Sequence, residues 1–107
     1  MITVVGSLRL DHEVPVPQHP AAGELVPGGH VLRRLGGRGA IQAVAAARHG
    51  APQGLRVAMV GRVGQDLDGS RLRSELRAEG IDTGWVLPTP EAPTGQALVA
   101  VRESDGD

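Results

Sequence analysis

The sequence predicts an α/β fold, a parallel sheet covered by helices. Three observations carry this. Two short runs rich in β-branched residues, Ile2 to Leu8 and Arg56 to Val63, read as core strands. Between them lies an alanine-rich segment, Ala40 to Gly50, that reads as a helix. A second helical pattern then leads into a third strand, so strand and helix alternate as in βαβ units.

Taken in order, Ile2 to Leu8, punctuated by Gly6, reads as a strand buried on both faces. Residues His12 to Pro20 carry Pro15, Pro17 and Pro20. Proline cannot donate to a sheet ladder, so this is expected to be an edge strand or an extended loop. Glu24 to Leu35 reads as a second extended stretch, broken by Gly28 and Gly29. After the turn at Gly36 to Gly39, the alanine-rich helix runs to Gly50, expected to be its C′ residue, with Arg48 and His49 in the last turn. Asp66 is placed to cap a second helix, in which Leu72 and Leu76 share a face and which Gly80 closes. Ile81 to Leu87 reads as the third strand, Pro88 to Pro93 as a loop, and Gln96 to Arg102 as a last alternating strand. The proline-broken pieces do not fit the core and read as a projecting flap.

Composition sets the limits. A chain of 107 residues is one small domain or part of a larger one. Trp85 is its one aromatic residue, so the core is built from Val, Leu, Ile and Ala. Sixteen glycines add backbone entropy to the cost of folding. Such a chain is expected to pack against more protein. The net charge of −1 shows no strong clustering, so neither nucleic acid nor a membrane is expected as a partner. All 11 basic residues are arginine, which excludes lysine chemistry. There is no cysteine, no signal-like N-terminus and no apolar run of about 20 residues, so a cytoplasmic protein is expected. His12, His19, His30 and His49 show no metal-ligand spacing, and no metal site is expected.

Gly36-Gly37-Arg38-Gly39 is the most informative stretch. A glycine-rich turn opening a helix can present backbone N–H groups to a sugar or an anion. It can equally be a tight strand-to-helix connection needing positive φ. A P-loop is excluded because there is no lysine, and a G-x-G-x-x-G fingerprint because Gln42 stands where its last glycine should be. Asp11 lies beyond the first strand, where ligands of open α/β sheets bind. It could accept hydrogen bonds from sugar hydroxyls or serve only as a surface turn residue.

Several segments together are similar to one family. Val4-Val5-Gly6-Ser7 with Asp11 matches its first strand and sugar-binding turn, and Pro20-Ala21-Ala22-Gly23-Glu24 its P-x-x-G-E step. Gly36 to Ala45 matches its G-G-K-G-A-N-Q-A-V-A signature, Val60 to Gly69 its V-G-x-D-x-x-G segment, and Pro93-Thr94-Gly95 a returning lid strand. In this order, over nearly the whole chain, they resemble the ribokinase-like (PfkB-type) carbohydrate kinases. The resemblance implies a three-layer α/β/α sandwich with a small β-sheet lid, formed here from about residues 12–35 and 94–103. It implies that residues 1–107 are the N-terminal part of a domain that phosphorylates a sugar or nucleoside hydroxyl with ATP and Mg²⁺. Similar enzymes often dimerise through their lids.

The same resemblance assigns substrate binding to Asp11, Gly36, Gly37, Arg38 and Gly39, with Arg9 and Ile41 at two further positions. Three of these depart from the family: Arg9 and Ile41 stand where it usually has Asn, and Arg38 where it has Lys. Isoleucine can neither donate nor accept, so a hydroxyl facing it would lose about 1–3 kcal/mol. A further reading has Arg9 and Arg38 together receive an anionic substrate such as a sugar acid or phosphate, with drift as the alternative. The family's catalytic Asp, in a G-A-G-D-like turn, and its ATP site do not occur in these residues, so no catalytic residue is expected here and ATP is not expected to bind this segment well. The alternative is a non-catalytic sugar-binding or lid-mediated dimerisation module derived from such a kinase.

Overall fold

A computed structural model describes all 107 residues. It contains two three-stranded sheets. The first is wholly parallel, in the order β1-β4-β5, formed by β1 (Ile2–Val5), β4 (Val57–Gly64) and β5 (Asp82–Thr89). The helices α1 (Arg38–Gly50) and α2 (Leu67–Ala78) make its crossovers. The second sheet, in the order β3-β2-β6, is formed by β2 (Arg9–Val16), β3 (Leu32–Gly36) and β6 (Gln96–Arg102). In it β3 runs antiparallel to β2, and β6 parallel to β2. This is the expected α/β class with a separate lid. The Cα radius of gyration is 16.0 Å, against about 13 Å for a compact chain of this length, so the lid projects from the core.

The core is one aliphatic cluster. Ala40, Ala43 and Ala47 of α1, and Leu72 and Leu76 of α2, pack against Val57, Met59 and Val63 of β4 and Val86 of β5. The three β4 residues are two or four apart and therefore share a face. Both helices thus cover the same side of the sheet. Alanine on α1 lets that helix lie close to the strands. The opposite side carries Val5, Val60, Trp85 and Leu87; Val5 is 75% and Trp85 65% exposed. The expectation that the first strand is buried on both faces is therefore not met, because this chain supplies one helical layer only.

Three local expectations also change. The proline-bearing β2 is the central strand of the lid, neither an edge strand nor a loop. Its pairing with β3 stops at Glu13, so Pro15 has only β6 as a strand neighbour and no donor is missed on the other side. Between Pro17 and Val31 the chain is irregular, and the second extended stretch reduces to β3. Gly50 is the last helical residue, with φ −85°, and a short 3₁₀ turn follows before Gly54 takes the left-handed conformation. Gly50 is glycine because a Cβ there would lie 2.9 Å from Cβ of Leu55.

One polar node joins lid to core. Asp66 caps α2 by accepting from the Gly69 N–H at 2.7 Å. It also accepts from the Thr94 N–H at 2.9 Å and the Thr94 hydroxyl at 2.5 Å. The same hydroxyl accepts from the Gly64 N–H at 2.9 Å, and Thr94 is only 2% exposed. Beside it, the Gln96 amide donates to Asp68 at 2.7 Å. The start of β6 is thus bound to the start of α2. Hydrogen bonds from the Thr94 hydroxyl, the Thr94 N–H and the Gly69 N–H hold the Asp66 carboxyl below its ordinary pKa.

Two outcomes follow from this node. Thr94→Val keeps the side-chain shape but leaves the Gly64 N–H without its acceptor, and is expected to cost about 1–3 kcal/mol in urea unfolding. A carboxyl with a depressed folded pKa adds stability above its unfolded value of about 3.9 and loses it as pH falls through the folded value. Thermal melts taken from pH 6 downward to pH 2, at roughly unit steps, should therefore show the wild type losing more stability than Asp66→Asn.

Candidate acceptor site

The candidate site lies where the lid leaves the core. Asp11 stands on β2 opposite Arg34 of β3, and Arg9 stands opposite Gly36. Arg9 and Asp11 are two apart on one strand, so their side chains share a face. There the Arg9 Nε donates to Asp11 Oδ1 at 2.6 Å. That bond, and then the attraction of the carboxylate, raises the Arg9 pKa above its ordinary value. A Cβ on Gly36 would collide with both carboxylate oxygens of Asp11, so the absence of a side chain there seats the carboxylate. Beside this pair, Arg34 Nε lies 3.1 Å from Glu13.

The turn into α1 is built from close backbone packing. Gly37 has φ 94°, and a Cβ on it would lie 2.6 Å from the Ser7 carbonyl oxygen. A Cβ on Gly39 would lie 2.7 Å from the Gly6 carbonyl carbon and 2.8 Å from Met59 Cε. The Arg38 N–H donates to the Ser7 hydroxyl at 3.2 Å and the Ala40 N–H to the Ser7 carbonyl at 3.1 Å. Ser7 thus caps α1 across the chain, since the N-cap Gly37 has no side chain to do so. The reading of the glycine turn as a tight strand-to-helix connection is met. Positive φ and tight packing are present, and two of the amides that could have faced a ligand are bonded within the protein.

The structure therefore groups Arg9, Asp11 and Gly36, with Gly37, Arg38 and Gly39 as the next turn. Arg38 is exposed and forms no ion pair with any residue of the chain. Ile41 shares a hollow with Arg34, the cross-strand neighbour of Asp11. It is 57% exposed and lines this hollow of about 470 Å³ between the helices, with Arg34, Val44, Arg48 and Glu79 on its walls and Asp11 absent from them. Ser7 was matched with Asp11 to one turn from the sequence, but its capping of α1, the place of Arg34 and the Asp66–Thr94 link were not anticipated. The Arg9–Asp11 pair had a sequence signal, the i, i+2 spacing on a strand, but the stretch before His12 was not assigned to one.

No group of three His, Asp or Glu side chains is placed to hold a metal ion. No helix is long and apolar enough to cross a membrane.

A family model described as pfkB family carbohydrate kinase matches residues 1–107. The ribokinase of Bacillus subtilis is 40% identical over 104 residues, covering 97% of this chain and 34% of that protein. The ribokinase of Haemophilus influenzae is 38% identical over 103 residues, covering 96% and 32%. The solved structure of Arabidopsis thaliana ribokinase complexed with ribose and ATP superposes with a TM-score of 0.79 at 30% identity, over 99% of this chain and 33% of that one. The chain thus spans about a third of the length of the relatives it matches.

The close contact at Gly37 can be separated from its backbone strain. Gly37→Ala should destabilise the fold clearly more than Gly54→Ala. Both positions have positive φ, but nothing lies within 4 Å of a Cβ on Gly54. Strain alone predicts about 1–3 kcal/mol at each; chemical denaturation of the two variants gives the difference.

Proposed function

The chain belongs to the pfkB family of carbohydrate kinases, and from that premise we propose that residues 1–107 form the acceptor-binding side of an ATP-dependent sugar kinase. The observation that carries the reading is Asp11, whose carboxylate is seated over Gly36 at the entrance to α1. A carboxylate accepts hydrogen bonds only, and sugar hydroxyls are the donors that suit it. Such contacts orient one hydroxyl for attack, and in phosphoryl transfer positioning is a large part of catalysis. The lid strands β2 and β3 carry Asp11 and Gly36 themselves, so movement of the lid would move the binding groups with it.

ATP and Mg²⁺ would supply the phosphoryl group and the charge to neutralise it. The residues present offer no acidic cluster for the cation and no P-loop, which needs a lysine, for the phosphates. We assign no catalytic residue and no nucleotide contact to this chain, and propose that these residues alone do not turn over ATP. The working partner is a small hydroxylated molecule, a sugar or nucleoside, in the cytoplasm.

A second reading, a non-catalytic binding or dimerisation module, is favoured by the far side of the lid. His12, Val14, Val31, Leu98 and Ala100 line a hollow there of about 480 Å³, and Leu98 is 88% exposed. That face is opposite to Asp11, so two lids could meet on it without closing the site.

Asp11→Asn is expected to weaken sugar binding by at least about tenfold, because a charged acceptor is lost. Titration calorimetry with D-ribose, D-gluconate and adenosine checks this, with circular dichroism confirming the fold. A folded chain that takes up none of the three, or a variant that binds them all as the wild type does, would remove the assignment.

A further inference from the structure

The outermost group at the entrance to the site is a cation. The Arg9 side chain is 45% exposed and the Asp11 side chain beneath it 15%. Arginine carries five N–H donors in a planar fork. One of them, on Nε, is bonded to Asp11, and the terminal nitrogens of Arg9 make no hydrogen bond within the chain. The guanidinium is therefore held at its root and open at its edge. That is the geometry in which arginine takes both oxygens of a carboxylate or phosphate.

The surrounding charge supports the same ligand. Arg34 is balanced by Glu13, and Arg9 by Asp11, at 3.1 Å and 2.6 Å. Arg38, exposed on the following turn, has no acidic partner in the chain. A neutral sugar approaching Asp11 finds one of its oxygens already engaged. An anionic sugar finds an open fork and one positive charge in excess.

We propose that Arg9 is the specificity-determining residue of the acceptor site, and that the acceptor is a sugar carrying an oxyanion group, carboxylate or phosphate, which the terminal nitrogens of Arg9 receive. Asp11 then has two roles, holding the guanidinium in place and accepting a hydroxyl of the sugar with its second oxygen. This deepens the acceptor-site reading and rests on it.

The test is titration calorimetry on the 107-residue chain with D-ribose, D-gluconate and D-ribose 5-phosphate, and with acetate and inorganic phosphate as sugar-free anions. One of the two anionic sugars is expected to bind at least about tenfold tighter than ribose and than its own sugar-free anion. The tighter of the two identifies carboxylate or phosphate as the source of the charge. Arg9→Asn should reverse the order, weakening the anionic sugar by a similar factor while strengthening ribose, since it frees an oxygen of Asp11. Arg9→Lys keeps the charge without the fork and should fall between; it decides the matter if Arg9→Asn does not fold. Ribose binding as tightly as both anionic sugars, or an Arg9→Asn variant that shifts all ligands alike, overturns the role of Arg9 and leaves the acceptor site standing. Sugar-free anions binding as tightly as the anionic sugars also overturns it. A folded chain that binds no sugar of either kind removes both.

Discussion

Backbone touches backbone where β1 gives way to the lid and α1 begins, and the site depends on that contact. A Cβ on Gly6 would lie 2.9 Å from Cα of Gly39, and Gly37 turns against the Ser7 carbonyl with no room for a side chain. Bare backbones at van der Waals distance allow little adjustment. The Ser7 hydroxyl and carbonyl then fix the first amides of α1. Gly36 immediately precedes this locked turn, and Asp11 rests on Gly36. The position of one carboxylate is thereby referred, through four glycines and a serine, to the central sheet.

The lid joins the core at three crossings that lie near one another: Ser7 to Arg9, Gly36 to Arg38, and Thr94 to Gln96. Each is held by hydrogen bonds. The first two share Ser7. The third is bound through Thr94 to Asp66, while the Leu10 N–H donates to the Gly95 carbonyl at 2.8 Å. The chain is more extended than a compact domain of its size. The lid is thus fixed at its roots and projects from the core beyond them. The groups proposed to touch a ligand sit at these roots, next to the core.

Much of the architecture was legible because its causes are local. The alanine run of α1, the Asp66 cap, the Leu72 and Leu76 stripe and the β-branched strand β4 all appear where their patterns placed them. From its own residues the lid was legible only as something that did not fit, and the family resemblance alone made it a sheet, because its strands pair residues far apart in sequence, such as Leu10 with Gln96. For the same reason β2 was read as an edge: nothing in its own residues says that two partners arrive from elsewhere. Gly50 was read as a left-handed cap from its place after the helix, whereas its cause is the Leu55 side chain beyond the helix end. At the candidate site, Asp11 and the glycines were singled out from type and position. The bond between Arg9 and Asp11 and the capping by Ser7 depend on which way side chains point, which motif spacing does not report.

The uncovered side of the parallel sheet gives the chain an optical property. Trp85 is its sole aromatic side chain and stands 65% exposed there, among Val5, Val60 and Leu87. Indole emission shifts with the polarity around the ring, and no tyrosine overlaps it. Fluorescence from this protein therefore reports on a single surface: red-shifted while water reaches the ring, blue-shifted once anything apolar settles over the strands.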